Sequence, residues 1–186
     1  MKNRFIVGIT GASGSIYADK LIKVLVEKGY EVHVVLTETG LKVMEYECGR
    51  NALTFSAGVI VHSNQDLFAP IASGSFRSKG MVVLPSSMNT LGHIAGGTGD
   101  GLLSRAAQVM LKERRPFIVV PRETPYTIIN IENMLRIAKA GGVILPASPG
   151  FYHHPESMGD LVDYIVGKIL DILNIEHDLF QRWGEK

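Results

Sequence analysis

The sequence predicts one doubly wound α/β domain, a mostly parallel sheet with helices on both faces. Three observations carry this. Short β-branched runs alternate with stretches of helical periodicity. Several of those runs are apolar at successive positions, as strands covered on both faces should be. The first run ends in a glycine-rich turn, Gly11-Ala12-Ser13-Gly14, where such folds turn from strand to helix. At 186 residues the chain has the length of a single domain, 1–186, since domains run roughly 100–200 residues.

In chain order, strands are expected at 4–10, 31–37, 59–62, 80–85, 116–121 and 142–146. Helices are expected at 15–28, 38–47, 101–114, 128–140 and 158–173. In the last of these Leu161, Ile165 and Ile169 keep helical spacing, and Ser157 with Asp160 forms a capping box ahead of it. Two connections, 62–79 and 85–100, are long and glycine-rich, and loops of that kind in compact domains are commonly functional. The closing segment 174–186 carries Phe180 and Trp183 and is expected to dock on an apolar surface. Parallel strands joined by helices imply right-handed crossovers, hence a Rossmann-like (flavodoxin-like) sheet.

Lysine and arginine number 19 against 18 acidic residues, a balance that offers nothing to nucleic acid or an anionic membrane. Cys48 is the single cysteine, so no intramolecular disulfide forms. The apolar run Phe5 to Ile9 is too short for a leader's core or a membrane span. A cytoplasmic location is the expectation.

Four motifs carry chemistry. Gly8 to Ser15 places glycines where a phosphate can approach backbone N–H groups at a helix start, although the spacing is not G-x-G-x-x-G. Pro85-Ser86-Ser87-Met88-Asn89-Thr90-Leu91 puts small hydroxyl and amide groups at a strand's carboxyl end, where a ribityl chain or phosphate can bind. Pro121-Arg122-Glu123-Thr124-Pro125 does the same with a guanidinium for phosphate and a carboxylate for protons. In Gly150-Phe151-Tyr152-His153-His154-Pro155 the histidines are adjacent and lack a third ligand at metal spacing, so Tyr152 as a phosphate donor is the better reading and no metal is expected. Lys112 to Arg115 reads as a solvated helix end. Tyr164 and Lys168 form Tyr-x-x-x-Lys, which keeps an NAD(P)-dependent oxidoreductase open.

Taken in order, GITGASGSIYA, FAPIASGSF, PSSMNTL, LLSRAAQVMLKERRP, PRETP, PASPGFYHHP and RWGE resemble the UbiX-type flavin prenyltransferases, long grouped with phenylacrylic acid decarboxylases. The resemblance spans nearly the whole chain. It implies transfer of a dimethylallyl group from dimethylallyl phosphate to N5, and then to the neighbouring benzenoid carbon, of reduced FMN. It also implies a UbiD-type decarboxylase as recipient and a dodecamer with sites between subunits. By position, FMN contacts fall on Gly11, Ala12, Ser13, Thr37, Ser87, Met88, Asn89, Thr90 and Arg122. Prenyl-phosphate contacts fall on Arg105, Lys112, Arg122, Tyr152 and Lys168. Ser13 and Glu123 match a proton-handling pair, and Glu47 an acidic residue near the phosphate. Thr37 stands where serine is common, and Lys168 where arginine is common, which keeps the charge but loses the fork. A cysteine decarboxylase-like flavoprotein is the alternative, with His33 and His62 the only histidines near its catalytic region.

Overall fold

The computed structural model of the chain describes residues 3–49, 55 and 57–184. It contains one sheet of six parallel strands: β1 (Arg4–Ile9), β2 (Glu31–Leu36), β3 (Val59–Ser63), β4 (Gly80–Ser86), β5 (Phe117–Pro121) and β6 (Val143–Ile144). Their order is β3-β2-β1-β4-β5-β6. The order reverses between β1 and β4, and ligands in such sheets bind at the carboxyl ends of the strands beside that reversal.

Among the described residues six α-helices cover the faces: α1 (Ser15–Glu27), α2 (Glu38–Cys48), α3 (Met88–Gly96), α4 (Leu102–Lys112), α5 (Ile128–Lys139) and α6 (Met158–Ile172). On one face α1 and α6 seal Val7, Ile9, Val34 and Val120 with Leu21, Leu25, Ile165 and Ile169. On the other, α3, α4 and α5 cover Ile6, Met81, Val83 and Val119 with Leu91, Leu103, Met110 and Ile137. Full burial of one such side chain contributes roughly 1.5–3 kcal/mol.

Two elements differ from expectation. The connection 85–100 holds α3, capped by the Ser87 side chain on the Thr90 N–H and closed by Gly97 at φ 67°. Its four glycines (Gly92, Gly96, Gly97 and Gly99) masked a buried Leu91/Ile94 stripe. The last strand is only two residues long. Its chain keeps following β5, with Leu145 N–H on Val119 O and Ala147 N–H on Pro121 O; Pro146 between them falls on the outer side of this edge strand, where a missing N–H leaves no ladder bond unmade.

The capping box of α6 forms as expected, with Ser157 and Asp160 satisfying each other's backbone N–H groups. Beyond α6 the chain folds back, and Phe180 lies 4.9 Å from the Tyr164 ring. Gly167 makes this possible: a Cβ there would come within 2.5 Å of Phe180 and 2.7 Å of His177. Residues 185–186 lie outside the described ones.

Candidate active site

The switch point is tied by one buried hydroxyl. Thr10, at the end of β1, donates to Pro85 O at 2.8 Å and accepts the Ser87 N–H at 2.7 Å. It thereby joins β1 to the start of α3. Three helices begin at this edge: α1 after β1, α2 after β2 and α3 after β4. Their positive ends converge on one region. Thr37 caps α2 through the Gly40 N–H at 3.0 Å. Ser87 Oγ accepts the Thr90 N–H at 3.3 Å and donates to Thr90 Oγ1 at 3.1 Å. Met88 is half-buried and Asn89 exposed.

Close packing holds these helix starts together. A Cβ on Gly40 would stand 2.6 Å from Ile9 O, and one on Gly11 2.5 Å from the Thr39 methyl. The last turn of α2 then brings Glu47 back to the start of α1. Its Oε2 accepts the N–H groups of Gly14 and Ser15, both at 2.9 Å, and its carboxylate also meets the Ser13 hydroxyl. Arg122, exposed at the end of β5, donates from Nε to Ser13 O at 3.0 Å. Burial pushes the Glu47 carboxyl up. The hydrogen bonds from Ser13, Gly14 and Ser15, with the Arg122 charge, outweigh burial and hold it below the usual carboxylate range.

This geometry changes two expectations. The α1 amides expected to receive a phosphate already hold the protein's own carboxylate. Ser13 meets Glu47 rather than Glu123, whose Oε1 instead accepts the neighbouring Thr124 N–H at 3.0 Å. Ser15 Oγ, next to this cluster, is buried without a hydrogen-bond partner.

A second cluster lies on α6 and the tail. Tyr152 sits edge-on to Tyr164 at 5.9 Å and to Trp183 at 5.3 Å. Its hydroxyl is raised first by burial, then by the charge and hydrogen bond of Tyr164, against the opposing pull of Lys168 and Arg182. Tyr152, His153, Arg182 and Trp183 line a cavity of about 340 Å³. Tyr164, half of the dehydrogenase-like pair, is stacked on His153 at 5.3 Å and packed by Phe180. Asp171 binds Arg182 and His177, and those contacts hold its carboxyl low even though burial alone would raise it.

The remaining expected residues stand apart. α4 starts beside the end of β3, where Asn64 receives the Leu102 and Leu103 N–H groups at 2.7 and 2.9 Å. It ends at Lys112, shortly before β5 begins. Lys112 is therefore at the amino edge of the sheet, opposite Arg122, and pairs with Glu113 in a basic cleft shared with Arg114, Arg115 and Lys139. Arg105 faces the loop before β4 and donates to Ala72 O at 3.0 Å. Arg122 is joined to Ser13 and Glu47, whereas Tyr152 is joined to Tyr164 and Trp183.

His33, the candidate of the decarboxylase alternative, is buried in the first half of β2 between Glu31 (2.7 Å) and His62 (2.8 Å). That places it away from the carboxyl edge. Among the described residues no cluster of three metal-ligating side chains occurs, and no helix is long and apolar enough to cross a membrane. Reading the sequence missed Thr10, Asp171 and Arg182. Only Asp171 carried a local signal, its i+3 spacing from Lys168.

The flavoprotein family model matches residues 1–170. The flavin prenyltransferase UbiX of Halalkalibacterium halodurans is 50% identical over 196 aligned positions, covering 100% of this chain and 95% of that protein. The crystal structure of AnUbiX in complex with FMN and dimethylallyl pyrophosphate superposes with a TM-score of 0.96 at 40% identity, covering all of both chains. A dodecameric FMN-dependent UbiX-like decarboxylase from Escherichia coli O157:H7 gives 0.93 at 41% identity, over 97% of this chain and 98% of that one. The chain belongs to the flavoprotein family, in its UbiX-type flavin prenyltransferase branch.

Proposed function

We propose that this chain is a flavin prenyltransferase that joins the dimethylallyl group of dimethylallyl phosphate to N5 and C6 of reduced FMN. The observation that carries the reading is the convergence of three helix starts, Arg122 and the Ser13–Glu47 pair at the switch point. The donor set there fits FMN. The starts of α2 and α3 and Arg122 suit its phosphate, the hydroxyls of Ser13, Thr37, Ser87 and Thr90 suit its ribityl chain, and the Asn89 amide suits its ring edge. Gly11, Ala12 and Met88 complete the contacts, and the buried, unpartnered Ser15 Oγ leaves a polar group beside them. Bound reduced FMN supplies the nucleophilic nitrogen and ring carbon to which the prenyl group is joined.

The chain's own residues do the rest. Ser13 hydrogen-bonds the Glu47 carboxylate, which stays ionised at neutral pH and takes a proton through that hydroxyl. Glu123, exposed beside Arg122, is a second acid at the same edge. Tyr152 Oη and Lys168 Nζ offer donors to the leaving phosphate, with Arg122 from the sheet edge. Preorganised cations of this kind stabilise a departing oxygen anion without a metal.

Lys112 lies at the far edge of the sheet and Arg105 faces the loop before β4, so they join the phosphate site from neighbouring copies. A dodecamer with sites between subunits satisfies this requirement. The product passes to a UbiD-type decarboxylase in the cytoplasm.

The test is mass spectrometry of flavin recovered after incubation with reduced FMN and dimethylallyl phosphate, with the diphosphate in parallel and with EDTA in both arms. A flavin heavier by one five-carbon prenyl unit, formed equally with EDTA, is the expected product. Recovery of unchanged FMN overturns the assignment, and a requirement for Mg²⁺ overturns its metal-free form.

A further inference from the structure

Asp171 is the most heavily contested carboxylate on the α6–tail surface. Arg182 grips it with both terminal nitrogens, at 3.2 Å to Oδ2 and 2.7 Å to Oδ1. His177 approaches Oδ1 from Nε2 at 3.1 Å, and its Nδ1 accepts the Leu179 N–H at 3.2 Å. The imidazole proton therefore sits on Nε2 and points at Asp171. Lys168, one turn earlier on α6, is left at 3.6 Å from Oδ2, with a side chain 45% exposed. That distance is too long for a hydrogen bond.

The arrangement is a competition between two cations for one carboxylate. At i,i+3 spacing on an exposed helix face, a lysine and an aspartate pair by default. A planar guanidinium fork matches a carboxylate better than an ammonium does. Here the fork has both oxygens, while the ammonium remains near Tyr152, whose hydroxyl feels its charge. Arg182 is itself placed by packing: its guanidinium lies 5.6 Å from the Phe180 ring, and Phe180 sits where Gly167 leaves room.

We propose that Arg182 is a positioning residue, which by occupying Asp171 keeps the Lys168 ammonium available to the leaving phosphate of the prenyl donor. The inference rests on the reading of Lys168 as a prenyl-phosphate contact. With Arg182 bound, Lys168 and Asp171 form only a loose ion pair at 3.6 Å; without it, Asp171 draws Lys168 into a direct hydrogen-bonded pair that the substrate must break. The docked tail thus serves the site by withholding a competitor rather than by touching substrate.

The experiment is a double-mutant cycle on the full chain, with kcat and KM for dimethylallyl phosphate measured beside FMN affinity. Arg182→Ala is expected to lower kcat/KM about tenfold, mainly through KM and with FMN affinity unchanged, as a weakened charge-assisted contact should. Asp171→Asn alone stays within about threefold of wild type. The double variant Asp171→Asn/Arg182→Ala returns to within about threefold, because no carboxylate remains to capture Lys168.

A role limited to docking the tail gives no such rescue, so a double variant as poor as Arg182→Ala overturns the proposal. Arg182→Ala indistinguishable from wild type overturns it as well. Lys168→Met is the control on the underlying reading. If it too is indistinguishable from wild type, the phosphate assignment fails and takes the proposal with it. If Lys168→Met is impaired and Arg182→Ala is not, the proposal alone fails.

Discussion

The switch-point edge and the α6–tail surface place their polar groups by opposite means. At the switch point the donors are mostly backbone amides and short hydroxyls, held where strands end. Thr10 is fully buried, and the helix starts touch so closely that Gly11 and Gly40 leave no room for a Cβ. On the α6–tail surface the groups are long cations and aromatic rings, partly exposed and held by one carboxylate. The first is set by sheet geometry, so its donors are preorganised and pay no reorganisation when charge develops. The second is set by pairing among side chains, so one substitution can re-sort it.

The largest effect on this contrast should come from Glu47→Gln. The amide keeps an acceptor for Gly14 and Ser15 but cannot take a proton, so kcat should fall about 10²–10⁴-fold, the usual worth of a positioned acid or base. Single-turnover formation of prenylated flavin measures it. Activity within a few-fold of wild type would reduce Glu47 to a helix cap and return the proton role to Glu123.

Lys168→Met comes next. Loss of one cation at the leaving phosphate should cost about 30- to 1000-fold in rate, or roughly 2–4 kcal/mol, with FMN still bound. Arginine at the same position should restore activity. Tyr164→Phe sharpens the comparison. Its hydroxyl only partners Tyr152 here, so this variant should be the milder of the two, whereas a dehydrogenase would lose activity with either.

A smaller effect, on stability alone, is expected from Thr10→Val. The substitution leaves Pro85 O and the Ser87 N–H buried without their shared partner, at roughly 1–3 kcal/mol. Chemical denaturation reads it directly. An unchanged midpoint would mean that the sheet ends hold without this link.

The smallest effect is on pH dependence. The Glu47 and Asp171 carboxyls are both held below their ordinary values in the folded chain. Each therefore contributes stability that is complete above the ordinary carboxylate range and is lost as pH falls through the lowered folded value. Glu47→Gln and Asp171→Asn should each flatten the acid limb of the stability profile. A limb equally steep in both variants would assign acid unfolding to other groups.

Much of the architecture was legible in local sequence because its causes are local. Alternating periodicity located all six strands, and the Ser157–Asp160 box marked the start of α6. α3 escaped because its glycines outweighed two buried apolar residues and a serine cap. The motif at Gly8 to Ser15 marked the turn after β1, but nothing in it announced that Glu47 would hold the Gly14 and Ser15 amides.

By itself the sequence determined the alternation of strands and helices, the strand-end loops that carry hydroxyls and glycines, and the chemical types available there. Only the tertiary structure decided which of them meet. Glu47 reaches Gly14 across 33 residues and Arg122 reaches Ser13 across 109. Arg182 reaches Asp171 because the tail folds back over Gly167. Lys112 lies at the far edge because α4 runs antiparallel to the strands. Periodicity reports which face of an element is buried, whereas partners distant in the chain are chosen by strand order, helix direction and the space that packing leaves.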